Sequence, residues 1–341
     1  MAVDRRQILG GVAGMMAAFP AAAQWGDPPT PAGGDREAPP WPSREHYPLW
    51  PGKPPGAPSK LPVPNHSMNG FKGARELWIR GVPSPEIHVY RPPQPDGSAL
   101  LTIPGGGYDF ISVHNEGLAV AQRFLSRGTT LFILTYRLPA EGWADRSTVP
   151  LQDAQRAMRL IRARAETFSI DRERLGVVGF SAGGHLAADL ATAHQESVYR
   201  PVDSADRQSA RPAFAILVYP VTTLVARSAH TGSAHKLVGE NATSAALEAR
   251  SPALHVTPET PPSFLVHAAD NDVVPLSNSL DWLAACGQHK VPVEAHIFEK
   301  GGHGFGVRLS RELPGSRWPE LAGLWMDQLK IGKAGVTPPG S

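Results

Sequence analysis

An apolar run that leads directly into a glycine-flanked serine constrains this chain more than any other feature. Residues 175–179 have the pattern of a buried strand, Gly179-Phe180-Ser181-Ala182-Gly183 follows at once, and residues 182–193 have a helical pattern. A serine at such a sharp strand-to-helix turn is held in strained backbone geometry, and the flanking glycines let the turn close without Cβ clashes. We therefore predict that Ser181 is an exposed nucleophile rather than a packed serine.

Short apolar runs alternate with longer helical patterns beyond residue 65. The predicted strands are Glu86–Tyr90, Ala99–Ile103, Thr130–Tyr136, Leu175–Gly179, Phe214–Tyr219, Phe264–Ala268 and Val293–Phe298. The predicted helices are Leu151–Phe168, Ala182–Ala193, Leu280–Gln288 and Arg317–Lys330. Nearly continuous apolar strands of this kind indicate an α/β fold, with a mostly parallel central sheet and helices on both faces. Residues 221–260 are long for a loop and form a candidate cap or lid segment.

A run of glycines follows the strand Ala99–Ile103. The sequence Pro104-Gly105-Gly106-Gly107-Tyr108 allows backbone amides to approach a bound carbonyl oxygen closely. We expect Gly106 and Gly107, together with Ala182 after the serine, to form an oxyanion hole. The alternative is a plain tight turn, which we would prefer if Ser181 did not follow on a later strand.

A histidine lies among glycines after the strand Val293–Phe298, in the run Gly301-Gly302-His303-Gly304-Phe305-Gly306. Glycines supply neither side-chain packing nor rigidity, so His303 is a better candidate for a general base than for a core residue. We predict structural roles for the other histidines that we considered, which are His185, His267 and His296.

Carboxylates follow the strand Phe264–Ala268, between the serine and the histidine in chain order. A carboxylate is needed to fix the imidazole tautomer and to stabilise the imidazolium formed when the base takes the serine proton. Asp270, Asn271 and Asp272 compete for this place. We choose Asp270 because it lies nearer the strand end, with Asp272 as the alternative acid.

The first residues have the pattern of a targeting signal. Arg5-Arg6 precede an apolar stretch from Ile8 to Phe19, and Ala21-Ala22-Ala23 offers small residues for cleavage. The run resembles a twin-arginine export signal and is shorter than the about 20 residues that a transmembrane helix needs. We expect residues 1–23 to be a signal peptide, the mature protein to be periplasmic or secreted, and no stable membrane insertion.

The remaining organisation follows from composition. We expect residues 24–64 to form a proline-rich arm that packs partly on the domain, residues 65–333 the catalytic domain, and residues 334–341 a flexible tail. The 33 Lys and Arg nearly balance the 31 Asp and Glu, so nucleic acid is not an expected partner. Cys286 is the single cysteine, which excludes an intramolecular disulfide and a multi-cysteine metal site. We expect a small buried thiol there, and composition gives no oligomeric state.

Taken together, these motifs resemble bacterial α/β-hydrolase esterases related to acetylxylan and feruloyl esterases, some of which carry the label endo-1,4-beta-xylanase. The resemblance extends from about Leu49 to the last helix. It implies an α/β-hydrolase fold, no cofactor or metal, and hydrolysis of short acyl esters, above all acetyl esters, on small molecules or plant polysaccharides such as xylan. The residues that carry it are Leu49-Trp50-Pro51-Gly52, Ile103-Pro104-Gly105-Gly106-Gly107-Tyr108, Glu116-Gly117, Tyr136-Arg137-Leu138, Gly179-Phe180-Ser181-Ala182-Gly183-Gly184-His185 and Gly301-Gly302-His303-Gly304-Phe305-Gly306.

The chain departs from these relatives in the loop after the strand Phe264–Ala268, here called the acid loop, in which the triad acid is expected. Relatives commonly carry two adjacent aspartates there, and the second of them is replaced by Asn271. Since Asp270 is shared with the relatives, it remains our choice. We assign Glu116 and Asp153 structural roles near helix starts, and Tyr108 a place in a pocket wall.

Three other functions are consistent with parts of the sequence. Glycoside hydrolysis, which the xylanase label suggests, usually needs two flanking carboxylates and no nucleophilic serine. A peptidase-like hydrolase would use the same serine and histidine. A non-catalytic carbohydrate-binding protein would carry a degenerate triad. We favour the esterase.

Overall fold

The computed structural model describes residues 39–69, 76–225 and 228–329. The predicted signal peptide and the predicted tail lie outside these ranges, so both stay predictions. None of the helices within the described ranges has the length and apolar character needed to cross a membrane. The strands are β1 (His46–Pro48), β2 (Asn65–Asn69), β3 (Glu76–Arg80), β4 (Glu86–Tyr90), β5 (Ala99–Ile103), β6 (Ile111–Ser112), β7 (Thr130–Thr135), β8 (Leu175–Phe180), β9 (Ala215–Val218), β10 (Ser263–Ala268) and β11 (Val293–Phe298). The α-helices are α1 (Ala119–Leu125), α2 (Val149–Ala163), α3 (Ala165–Phe168), α4 (Ser181–Ala193), α5 (Thr231–Leu237), α6 (Ser244–Ala249), α7 (Ser277–Gln288) and α8 (Trp318–Gln328).

An eight-stranded sheet in the order β1-β4-β7-β5-β8-β9-β10-β11 forms the centre of the protein. The pairs from β7 to β11 are parallel, whereas β4 runs antiparallel to both β1 and β7. Every residue of β5, β7, β8, β9 and β10 is buried, as expected for strands covered on both faces. The predicted α/β fold is confirmed, and each predicted strand is present to within one residue at either end.

The proline-rich arm joins the sheet through β1, which pairs with β4. Just after it, Leu49 and Trp50 are buried in the core. The indole Nε1 of Trp50 donates to Asp153 Oδ1 at 2.8 Å, and the same carboxylate forms a fully buried ion pair with Arg137. Asp153 therefore has a structural role, as predicted, but as a buried anion that fixes the arm rather than as a partner of the helix dipole.

Two regions differ from what the sequence predicted. A small antiparallel sheet of β2, β3 and β6 lies beside the central sheet. The segment proposed as a lid, residues 221–260, carries the short helices α5 and α6 between β9 and β10. A role for this segment as a lid stays a prediction.

Candidate active site

Ser181 lies at the sharp turn from β8 into α4, with a φ of +53°. This left-handed conformation is strained for a serine, and only close packing around the turn maintains it. Gly183 shows how close that packing is, because a Cβ there would lie 2.2 Å from the carbonyl oxygen of Ile103. Contrary to the predicted exposure, Ser181 is only 2% accessible. Ser181 is covered because two segments contact it: residues 104–108, here called the glycine segment, and the loop that carries His303.

His303 contacts the serine directly. Its Nε2 lies 3.0 Å from Ser181 Oγ, although 122 residues separate the two along the chain. The glycines on either side, Gly302 and Gly304, have φ values of +64° and +72°, which a residue with a Cβ adopts only at a cost. The ring also packs against Tyr219, with 4.8 Å between ring centroids. The structure thus brings together the predicted nucleophile and the predicted base.

The residue beside the other ring nitrogen of His303 is Asn271. Its Nδ2 and Oδ1 lie 3.0 Å and 3.1 Å from His303 Nδ1. Asp270, our predicted acid, is exposed and instead accepts a hydrogen bond from the Gly302 N–H at 2.8 Å. Asp272, the alternative, is also exposed. The choice of Asp270 needs correction, because nearness to the strand end does not determine which side chain of a turn points inward.

The surroundings of His303 favour a neutral ring. Burial, followed by the nearby rings of His230 and His267, lowers the pKa of His303 to about 3. Each of these three causes disfavours the protonated ring. A neutral imidazole can accept a proton, but burial and the two neighbouring rings make the imidazolium formed here costly.

The glycine segment packs against the serine turn. A Cβ on Gly105 would lie 2.5 Å from the carbonyl oxygen of Phe180, so only glycine allows this approach. Within the described residues, the N–H groups of Gly106 and Gly107 donate no hydrogen bond to the protein. Ala182, the third predicted donor, is the second residue of α4, where helix amides have no intrahelical acceptor.

Glu116 connects the glycine segment to the histidine loop. Its Oε2 accepts from the Gly105 N–H at 2.7 Å, and its Oε1 accepts from the Tyr219 hydroxyl at 2.7 Å. That hydroxyl in turn accepts from the Gly306 N–H at 2.8 Å. Burial raises the pKa of Glu116 to about 7, although both hydrogen bonds favour the carboxylate.

Asn115, beside Glu116 in a π-helical turn at His114–Leu118, adds a second link. Its Nδ2 donates to the carbonyl oxygen of Gly304 at 2.6 Å. Sequence reasoning missed Asn115 and Tyr219. The adjacent Glu116-Gly117 pair was a signal for the first, and nothing in the sequence pointed to the second.

The other predicted polar residues are structural. The Tyr108 hydroxyl lies 2.8 Å from His185 Nδ1, and both residues are buried, so Tyr108 is not an open pocket wall. His267 is buried and makes contacts to Ser279 and Val274, and Cys286 is a buried free thiol. These observations agree with the structural interpretations of His185, His267 and Cys286.

One group of described residues has spacing suited to a metal ion. His46, Glu86 and His88 lie on β1 and β4, at an edge of the central sheet and not at Ser181. His46 Nδ1 already lies 2.8 Å from Glu86 Oε2 as a hydrogen-bonded pair. This group is therefore separate from the site around Ser181.

Comparisons with known proteins agree with the fold. The BD-FAE family model matches residues 87–285. The chain is 36% identical over 208 residues to endo-1,4-beta-xylanase B of Butyrivibrio fibrisolvens, which covers 61% of this chain and 32% of that protein. It is 31% identical over 233 residues to an acetylxylan esterase of Xylanibacter ruminicola, which covers 65% of this chain and 44% of that protein. The chain thus spans about a third of the first relative and less than half of the second.

A solved structure is similar over nearly its whole length. The acetyl ester-xyloside bifunctional hydrolase from Caldicellulosiruptor lactoaceticus has a TM-score of 0.70 and 33% sequence identity to this chain. The match covers 85% of this chain and 98% of that one.

Proposed function

Because this chain belongs to the BD-FAE family, an α/β-hydrolase esterase family related to acetylxylan esterases, we propose that it hydrolyses carboxylic esters through Ser181. The observation that carries the proposal is the 3.0 Å contact between Ser181 Oγ and His303 Nε2 at the end of a buried parallel strand. A serine and an imidazole within hydrogen-bond reach are the parts that acyl transfer needs.

The proposed reaction has two halves. Ser181 Oγ attacks the ester carbonyl carbon while His303 Nε2 takes the hydroxyl proton, and the N–H groups of Gly106, Gly107 and Ala182 bind the resulting oxyanion. His303 then gives that proton to the departing alkoxide, which leaves as the alcohol. Water repeats the sequence on the acyl-serine, releases the acid and restores the hydroxyl. The mechanism uses no cofactor.

We propose short acyl groups, above all acetyl, as the substrates, on small alcohols or on a polysaccharide such as xylan. Two of the relatives carry acetyl esters in their names. The segment between β9 and β10 supports this, since α5 and α6 have only 7 and 6 residues and offer no long apolar helix to line a fatty-acid groove.

Glycoside hydrolysis, which two of the relatives' names mention, has no support from this site. It needs two carboxylates that flank the scissile bond. Glu116 is the buried carboxylate that contacts the glycine segment, and both of its oxygens already accept hydrogen bonds. We therefore keep a single proposed reaction.

A substrate panel tests this proposal. Rates on nitrophenyl acetate, butyrate and octanoate, on acetylated xylan and on a feruloylated sugar should rank acetyl highest, and Ser181→Ala should remove all of them. Faster release of octanoate than of acetate would contradict the acyl preference. Release of xylose oligomers from unacetylated xylan would contradict the choice of an esterase over a glycosidase.

We also propose that residues 1–23 direct export by the twin-arginine route. The supporting feature is the Arg5-Arg6 pair ahead of the short apolar stretch. Fusion of this segment to a folded reporter should give export that is lost in the Arg5→Lys, Arg6→Lys double variant. Export unchanged by that substitution would contradict the proposal.

A further inference from the structure

The backbone determines which way the side-chain amide of Asn271 faces. Its Oδ1 accepts from the N–H groups of Val273 at 3.1 Å and Val274 at 2.9 Å. Rotating the amide by half a turn would place its NH₂ group against these two donors. The oxygen is therefore fixed by the backbone. Although Oδ1 also lies 3.1 Å from His303 Nδ1, it already accepts two hydrogen bonds, so Nδ2, at 3.0 Å, is the group that bonds to this nitrogen.

His267 does not offer a better acceptor for that NH₂ group. Its Nε2 lies 3.0 Å from the carbonyl oxygen of Val274, a contact that requires a proton on Nε2. Burial lowers the pKa of His267 to about 4, so the neutral ring carries one proton, and its Nδ1 accepts from Ser279 Oγ at 2.8 Å. Nε2 then has no lone pair for Asn271, whose Nδ2 is 3.3 Å away.

We propose that Asn271 holds His303 in the tautomer that carries its proton on Nε2, so that the ring donates to Ser181 instead of accepting from it. This inference rests on the proposed function. In this tautomer Nδ1 accepts from the amide, and Nε2–H points at Ser181 Oγ over the 3.0 Å contact. The catalytic groups are thus in place, but a proton on Nε2 leaves His303 without the lone pair that would accept the Ser181 proton. We expect the native protein to be a slow esterase for this reason.

Turnover requires the other tautomer. In the described contacts of His303 Nδ1, the atom that could accept its proton is Asn271 Oδ1, at 3.1 Å, which already accepts from two backbone amides. The NH₂ group of Asn271 would then lose its acceptor. A carboxylate at this position has no such conflict, because one oxygen would accept from the backbone and the other from His303 Nδ1–H. Replacement of an acid by an amide at this place in a serine hydrolase costs about 10⁴-fold in rate.

The tautomer can be observed without turnover. Long-range ¹H–¹⁵N spectra of the histidine side chains, with His303→Ala to assign the signals, should show the His303 proton on Nε2 in the native chain and on Nδ1 in Asn271→Asp. A native His303 that carries its proton on Nδ1 would overturn the inference, whatever the activity.

Kinetics give an independent test. Asn271→Asp should raise kcat on nitrophenyl acetate by about 10² to 10⁴-fold with little change in KM. Asp272→Asn, an exposed charge change in the same loop, is the control and should leave kcat within about twofold. The inference fails if Ser181→Ala abolishes hydrolysis yet Asn271→Asp gives no gain. If Ser181→Ala leaves hydrolysis intact, the proposed function itself has failed.

The pH dependence of kcat distinguishes an effect of Asn271 on the His303 tautomer from a purely structural role of Asn271 in its loop. In the native chain the pKa of His303 is about 3, so the ring stays neutral and its contribution to kcat should be flat from pH 5 to 8. An aspartate would raise this pKa, and activity of Asn271→Asp should then fall as pH drops through the raised value. Identical profiles for the two proteins would contradict the proposal.

Discussion

The hydroxyl of Tyr219 donates to Glu116 Oε1 at 2.7 Å and accepts from the Gly306 N–H at 2.8 Å. One phenol therefore links the carboxylate that positions the glycine segment to the loop that carries His303. Tyr219→Phe should remove both bonds while preserving the ring. We expect a loss of about 1–3 kcal/mol in unfolding free energy, measured in urea, together with a fall in kcat. Tyr90→Phe, which removes the bond to the carbonyl oxygen of Pro40, should lower stability without changing kcat.

Glu116 should make stability depend on pH. Its pKa in the folded protein, about 7, is above the ordinary value of 4.5, so the folded state binds more protons between these values. This contribution is fully present below pH 4.5 and is lost as pH rises through 7. Glu116→Gln removes the titration. The stability of the native chain relative to this variant should therefore decrease from pH 5 to pH 8, and an increase over that range would contradict the assignment.

Ser181 and His303 should act as a unit. Ser181→Ala and His303→Ala should each lower kcat on nitrophenyl acetate toward the rate left by the oxyanion hole and binding, and the double variant should be scarcely worse than either. The starting rate of the native chain is low if Asn271 restrains it, so the comparison is sharpest in an Asn271→Asp background. There the expected loss is about 10⁴-fold or more. Losses that simply multiply would show that the two residues act independently.

The two aspartates beside Asn271 should now have unequal and modest effects. Asp270→Asn weakens the acceptor of the Gly302 N–H and so loosens the histidine loop, whereas Asp272 is exposed. We expect a loss of a few-fold to about tenfold in kcat for Asp270→Asn and almost none for Asp272→Asn. A loss near 10⁴-fold for Asp270→Asn, measured at equal stability, would restore it as the triad acid.

The central strands could be predicted because a strand that is buried on both faces consists mainly of apolar residues. Most residues of β5 and β10 are apolar, and the sequence shows this as a nearly continuous apolar run bounded by turn residues. β1 was missed because prolines crowd the arm, and an edge strand tolerates them where a central strand would not. The order of the serine, the acid loop and the histidine was likewise readable from strand ends.

The details of the site were not readable in the same way. Whether Asp270 or Asn271 reaches His303 depends on the direction of each side chain in a four-residue turn, which composition does not encode. The link from Asn115 to Gly304 spans 189 residues and begins in a π-helical turn without an apolar period. Such contacts follow from packing of finished elements, so only the structure reveals them.

Asp153 should be the most costly single carboxylate to remove. It is fully buried, accepts from the Arg137 side chain and backbone N–H, and also accepts from the Trp50 indole at 2.8 Å. Asp153→Ala leaves a buried guanidinium without its anion, which costs about 3–5 kcal/mol in unfolding free energy. Glu45→Gln, at the half-exposed pair with Arg91, is the matched control and should cost less than about 1 kcal/mol. Because the arm is held by Trp50, limited proteolysis of Asp153→Ala should also cut near residue 50 before the protein unfolds globally. Equal stability losses in the two variants would mean that the buried pair adds nothing beyond a surface pair.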